Sequence, residues 1–421
     1  MILKLNNFKL SLIIFSSFFF TRYIFLFLNG ADNFELQPDS YWYSEQSEEV
    51  LKGNFNLLRP LFITSPFFTY LQSIIKFIFG EYWMISLEFF QVFIASVSGV
   101  FFFYLSNNLF ANIKISTIST FIFCFYPFTI WFVGTFTQDI WFQSFLIIFF
   151  YYFTKYLNNK DRKNLIISAI LFSLTFLTKS HILIYSLFIP IIIFFINIKS
   201  LKIKFLHIIY FTMICLISTL PYGIYNLKEN GVYVFSSNGF GGLFILGHND
   251  DAYLNHVKTP KLGTLESNRL KSVEYKIFKE IEYKIENAET KEIQMIYFVE
   301  GVEWIKKNKE KSKKLLQTNL KRFFTPGLNK SWYNNNVWIV SFLVSFPFML
   351  LGYLGLIKVL ILNFRQYSWI LYLIVTMLLF SLIFYFQGRF RIITLDPIFI
   401  LLCVYSINDL FLKKIKFNDK I

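Results

Sequence analysis

Leu61-Phe62-Ile63-Thr64-Ser65-Pro66-Phe67-Phe68-Thr69-Tyr70-Leu71-Gln72-Ser73-Ile74-Ile75-Lys76-Phe77-Ile78-Phe79-Gly80 is a largely apolar stretch long enough to cross a bilayer. Whether it does so decides the side on which every later loop lies. Other apolar runs of spanning length fall near 8–29, 84–106, 113–133, 139–157, 164–178, 181–198, 204–222, 336–358, 369–386 and 392–412. If 61–80 stays on one side, the short basic pieces share a face: Lys4 and Lys9, Lys114, the Lys155/Lys160/Arg162/Lys163 loop, the Lys199/Lys202/Lys204 loop, Lys358/Arg365, and the Lys413/Lys414/Lys416/Lys420 tail. If it crosses, the basic loops after it swap sides. The positive-inside rule selects the first arrangement. The stretch then lies along the outer interface or is re-entrant, leaving ten spans with both termini cytoplasmic.

Composition agrees. Hydrophobic residues make up 55% of the 421, and only 16% are charged, against about 25% in an ordinary soluble domain. The net charge of +15 sits in short loops between spans, which argues against nucleic acid as a partner. Cys124, Cys215 and Cys403 fall inside apolar runs and read as small hydrophobes rather than a disulfide or metal framework. The first run, 10–28, resembles a signal peptide but is long for one and lacks a small-x-small cleavage site, so a retained helix is expected. The fold class expected is an all-α polytopic membrane protein of about ten transmembrane helices. An interfacial helix occupies the first outer loop, and a mixed extramembrane region separates spans seven and eight. The chain divides into a transmembrane catalytic module (1–222), an outer region (223–335) and C-terminal helices with a basic cytoplasmic tail (336–421).

Three segments then share the outer face. In the loop 30–60, Asp32, Glu35, Asp39, Glu45, Glu48 and Glu49 outnumber Lys52 and Arg59. Short connections carry Thr137-Gln138-Asp139, Thr178-Lys179-Ser180-His181 and Gln387-Gly388-Arg389-Phe390-Arg391. The region 223–335 has a turn-rich half and, over 265–324, a charged half with helical spacing and mixed signs. Carboxylates at a membrane surface are costly unless something there uses them. Arginine suits a phosphate through its planar fork of donors, and a nearby carboxylate can take a proton from an acceptor. Group transfer from a lipid-phosphate carrier follows as a composite reading, with Asp39 first among the candidates. Plain alternatives stand beside it. Asp39 and Asp139 can each serve as a helix cap, Lys179 can simply snorkel, and His181 can pack beside its span. Arg389 and Arg391 defy positive-inside on a short outer loop. The glycine cluster 239–242 lacks the strand-to-helix setting of a dinucleotide loop, and no His/Cys/Glu cluster suggests a metal.

At these residues the chain resembles the integral-membrane glycosyltransferases of the C superfamily, which use lipid-phosphate sugars and include protein O-mannosyltransferases and the aminoarabinose transferases of lipid A. Asp39, Tyr43, Ser47 and Gly53 fit that family's pattern of Asp, Tyr four on, a small residue four further, then Gly. Ser65-Pro66 through Tyr70, ending in Phe79-Gly80, resembles its Pro-Pro-Leu-Tyr segment, which the family places at the outer interface. Thr137-Gln138-Asp139 and Leu177-Thr178-Lys179 are similar to its Thr-x-acid and Leu-Thr-Arg positions. Tyr225-Asn226, Gly231, Ser237-Asn238-Gly239-Gly241 and Gly247-His248-Asn249 resemble its loop after the seventh span. Ser65 replaces a proline, and Lys179 and Tyr225 replace arginines. Lysine keeps the charge but loses the fork; tyrosine loses both.

The resemblance implies a bacterial plasma-membrane enzyme, active at the outer face without cofactor or metal. Its donor would be a polyprenyl-phosphate-linked sugar and its acceptor a lipid, glycan or protein. Asp39 would be general base or acceptor-activating carboxylate, with Asp139 a second catalytic carboxylate. Arg59, Tyr43, Lys179, Asn226, Asn238, Arg389 and Arg391 would contact substrate. Two other classes remain: an O-antigen-type polymerase or ligase leaning on Arg389/Arg391, and a transporter or flippase of lipid-linked sugars.

Overall fold

The computed structural model describes residues 7–29, 38–59, 61, 63–196, 198, 200–254, 273–328, 330, 335–384 and 387–412. Asp32, Glu35, Lys4, Lys199, the start of the charged segment (265–272) and the lysine tail from 413 lie outside the described residues. Helices α1 (Asn7–Asn29), α2 (Pro38–Leu51), α3 (Pro66–Phe79), α4 (Trp83–Phe110), α5 (Ile113–Cys124), α6 (Pro127–Trp131), α7 (Asp139–Asn159), α8 (Arg162–Thr178), α9 (Phe188–Phe195) and α10 (Leu201–Asn230) precede the outer helices. Those are α11 (Phe240–Gly247), α12 (Asp250–Tyr253), α13 (Val273–Ile285), α14 (Thr290–Lys307) and α15 (Lys309–Phe324); α16 (Asn335–Ile383) and α17 (Gly388–Leu412) close the chain.

A helix lies over each of the ten apolar runs. Among the described residues, five helical stretches are long and apolar enough to cross a membrane, and six if the pair 113–124 and 127–134, bent by 51°, is one span. Pro127 opens α6 and ends the ladder of α5. The long α16 is two arms, broken at Asn363, which leaves helical geometry (φ −153°, ψ 82°). Helix α17 is buried along most of its length, whereas α1 and α10 expose most of theirs. The central position of α17 follows from a sequence that is apolar all round, with Ile392, Ile393, Leu395, Ile398 and Leu401 all inside. It packs on α16, α5 and α7.

The stretch 61–80 does not continue straight into the next span. Pro66 sets the first turn of α3, and the backbone turns at Gly80, which adopts φ +53°. Helix α3 buries Phe68, Thr69, Gln72 and Lys76 while leaving Ile74, Phe77 and Ile78 exposed. With α4, to which it is joined through Gly80–Tyr82, α3 forms a helical stretch over Pro66–Phe110 that is long and apolar enough to cross a membrane.

The region after the seventh run was expected to be mixed, but among the described residues it is helical, with only the isolated bridges Leu58–Ile63 and Ile63–Asn238. Residues read as turns were in part helix ends: α10 runs on to Asn230 and stops at Gly231, whose φ of +67° provides a left-handed cap. A second small core joins this region to the first loop, with Leu61 packed among Ile245, Leu246, Ile281 and Tyr297. Gln294 fastens it. Its Oε1 accepts from the Gly241 and Gly242 amides, both 3.1 Å, and its Nε2 donates to the Leu61 carbonyl at 2.8 Å. A Cβ on Gly242 would sit 2.2 Å from that carbonyl oxygen. Gly242→Ala is therefore expected to cost about 1–3 kcal/mol by overpacking, read as a lower thermal midpoint in detergent; an unshifted midpoint would show that the contact gives way freely.

Candidate active site

Residues far apart in the sequence meet where α2 and the turn after it approach the starts of α7 and α17 and the end of α8. Asp39 stands in the first turn of α2, where the helix N-terminus favours a carboxylate. Arg389 stands in the first turn of the central helix α17 and donates to Asp39 through Nη2. Its other terminal nitrogen lies 3.9 Å from Asp139. Asp139 opens α7 and takes a short hydrogen bond from Lys179, the residue that ends α8. Arg59 completes the row, 4.0 Å from the other oxygen of Asp39. The five charges thus alternate in sign: Arg59, Asp39, Arg389, Asp139, Lys179.

The row runs from open to closed. The Asp39 side chain is 32% exposed and that of Asp139 only 2%. Thr137 donates to Asp139 at 2.9 Å, and Thr135 bonds Thr137 at 3.0 Å. Aromatic faces shield the cations: Arg59 lies over Trp42 at 4.8 Å and Lys179 over Phe390 at 4.7 Å. Tyr43, one helical turn beyond Asp39, is buried with its ring edge against Phe68, 5.2 Å between centroids. Burial and the Asp39 and Asp139 carboxylates push the Tyr43 hydroxyl upward, so it stays a neutral donor. Burial alone would raise Asp39, yet Arg389 and Arg59 bring it down to about 2.

Other expected site residues lie elsewhere. Asn226 is buried but donates to the Tyr222 carbonyl and accepts from Asn230, knitting the end of α10 to Asn56. Asn238 pairs through its backbone with Ile63, while its neighbour Ser237 donates to Ser180 at 2.6 Å, so this loop borders Lys179 without an observed side-chain bond from Asn238. Arg391 turns away from Asp39. It is fully buried and donates to the carbonyls of Phe323, Thr325 and Gly327. Its Nε lies 3.7 Å from Asp396, which accepts from Tyr126. His181 packs between Phe142, Phe380 and Phe390. Among the described residues, no three His, Cys, Asp or Glu side chains converge on a common point.

Thr137 was named only as the first position of the Thr-x-acid resemblance, and Trp42, Phe390 and Asp396 were given no role from the sequence. Asp396 carried a usable signal, since an ionisable residue inside an apolar run implies a partner. The aromatic shields carried none, because the chain has 57 phenylalanines and 8 tryptophans.

Residues 63–225 match the family model for dolichyl-phosphate-mannose-protein mannosyltransferases. No curated protein matches the whole sequence significantly. Among solved structures, the fold is similar to that of the oligosaccharyltransferase of Archaeoglobus fulgidus. In the apo form the likeness covers 95% of this chain and 51% of that one, at 14% identity and a TM-score of 0.54. With an acceptor peptide containing the NVT sequon tethered by a disulfide, it covers 95% and 50% at 14% identity and 0.55. The chain spans about half the length of this archaeal protein. The family model covers less than half of this chain, and at 14% identity the likeness to the archaeal protein is one of fold.

Because Asp39 is depressed from its ordinary value near 4 to about 2, the stability it lends is complete above about pH 4 and is lost as pH falls toward about 2. Thermal midpoints of wild type and Asp39→Asn are expected to differ at neutral pH and to converge in that acid window. Convergence already near pH 6 would contradict the pairing.

Proposed function

We propose that the chain is a glycosyltransferase that moves a sugar from a polyprenyl-phosphate-linked donor to an acceptor at the outer face of a bacterial plasma membrane. One observation carries this reading: Arg389 and Lys179, with Arg59 beside them, stand against Asp39 and Asp139 in one partly closed site, so that forked cationic donors and a carboxylate lie within reach of the same substrate. A sugar-phosphate-lipid diester is an anion of the kind that such donors bind. The fold likeness and the mannosyltransferase model over 63–225 support the same substrate class. The proposed topology is ten spans with both termini cytoplasmic, α3 at the outer interface, a catalytic module over 1–222 and an outer region over 223–335 facing the site.

In the proposed reaction the acceptor attacks the sugar's anomeric carbon, and a new glycosidic bond forms as the bond to the phosphate oxygen breaks. The acceptor's proton passes to Asp39, and the lipid phosphate leaves with one more negative charge than the diester carried. Arg389, Lys179 and Arg59 would stabilise that charge as it develops. Asp39 at about 2 is too weak a base for efficient proton transfer at neutral pH. A donor phosphate that draws Arg389 to itself would relax that hold, so the base would strengthen when donor is bound. Asp139, closed off beside Lys179, would hold the cation in place, and Tyr43 would donate to substrate.

The decisive assay is sugar transfer from polyprenyl-phosphate sugars in proteoliposomes. Asp39→Asn is expected to lower turnover about 10²- to 10⁴-fold with the protein still folded. Arg389→Lys is expected to weaken donor use while keeping the charge. Equal turnover by Asp39→Asn would remove it from the chemistry and favour a polymerase or ligase that depends on the arginine loop. Donor moved across the bilayer without chemical change by wild type would favour a transporter.

A further inference from the structure

Helix α15 carries more charge than its packing uses. From 303 to 324 the chain has eight cations, Lys306, Lys307, Lys309, Lys311, Lys313, Lys314, Lys321 and Arg322, against Glu303 and Glu310. Lys311 pairs with Asp250 and Lys307 with Glu303; among the described residues, no carboxylate pairs with Lys309, Lys313, Lys314 or Lys321. Lysines in the first turn of a helix also oppose its dipole, and Asn308 makes no side-chain cap there. Glu310 is the one acid in that first turn, so the charge is available to a partner outside the helix.

The same helix has an orderly gradient. Leu315, Asn319 and Phe323 face inward. Lys309, Lys313, Leu316, Leu320 and Phe324, spaced four, three, four and four apart, form an adjacent outward stripe. Its three apolar members are 48%, 41% and 48% exposed. The charged end is N-terminal and the apolar end C-terminal. The C-terminal end is held low beside the spans: Arg391 takes the carbonyls of Phe323, Thr325 and Gly327, and the Phe324 ring lies 6.1 Å from Tyr353 in the first arm of α16. Around Tyr353 that arm exposes Phe346, Leu350 and Leu354, so the apolar end of the stripe adjoins the exposed apolar side of a helix long and apolar enough to cross a membrane.

We infer that α15 is a docking helix for anionic phospholipid. It enters the leaflet on the side of the charge row at a slant, with Leu316, Leu320 and Phe324 among the acyl chains and Lys309 and Lys313 at the phosphates. The inference requires a bilayer around α16 and is independent of sugar transfer.

The test is hydrogen exchange of 309–324 in the full chain, reconstituted in discs of phosphatidylcholine alone or mixed with phosphatidylglycerol. Exchange of this helix in wild type is expected to slow on the order of tenfold in the mixed discs, with α11 unchanged. The difference should vanish in Lys309→Gln/Lys313→Gln. Leu316→Ser/Leu320→Ser should exchange faster in both compositions. Equal exchange of wild type in the two compositions overturns the inference, as does slowing that survives the lysine replacements. Protection by soluble polyphosphate but not by phosphatidylglycerol would also overturn it.

Discussion

The alternating row of Arg59, Asp39, Arg389, Asp139 and Lys179 is the constraint on which the rest of the architecture depends. A single carboxylate or guanidinium taken out of water costs several kcal/mol unless it is paired and hydrogen-bonded. Here each charge has an opposite neighbour, and the terminal cations also lie over aromatic faces. The row draws on α2, the turn after it, α7, the end of α8 and the start of α17. Losing the position of any one element strands a charge supplied by another. The central burial of α17 is therefore electrostatic as well as hydrophobic in its consequences, because it fixes where Arg389 begins the helix.

A second network sets the height of that helix. Arg391, two residues on, is committed to three backbone carbonyls between α15 and α16 and faces Asp396. Arg389 and Arg391 looked like one pair in the sequence; the structure divides their labour. One reaches into the charge row and the other ties the outer helices to the start of α17. Gln294 and the close approach of Gly242 to Leu61 make a comparable tie to the first loop. The outer helices and the charge row thus share two points of attachment.

The ten apolar runs, the helical spacing of the charged segment and the shared neighbourhood of Asp39, Asp139, Lys179, Arg59 and Arg389 were legible. Each rests on a period or on charges that a membrane surface makes conspicuous. What was not legible depended on partners distant in sequence. Nothing local says that Asn226 bonds Asn230 rather than substrate, or that α10 continues eight residues past its apolar run to a glycine cap. Arg22 shows the same limit. It is buried in α1 with the Phe18 and Cys124 carbonyls and Thr129 as partners, and only the folded chain reveals that those oxygens converge. The bend at Pro127 was marked by its residue type, and the break at Asn363 falls in the basic interval between the runs 336–358 and 369–386.

The gradient of exposure along the row separates two carboxylates that look alike in sequence. Both open helices, and both touch Arg389. Asp139 is enclosed by Lys179, Thr137 and the body of α7, so an approaching acceptor would have to displace a buried ion pair to reach it. Asp39 keeps an open side, and its partners are the guanidinium groups of Arg389 and Arg59. In the proposed reaction this assigns the mobile role to Asp39 and the fixed role to Asp139. It also gives the two acids of one site different tasks. One holds its lysine against the repulsion of Arg389, and the other is left free to exchange a cation for a proton.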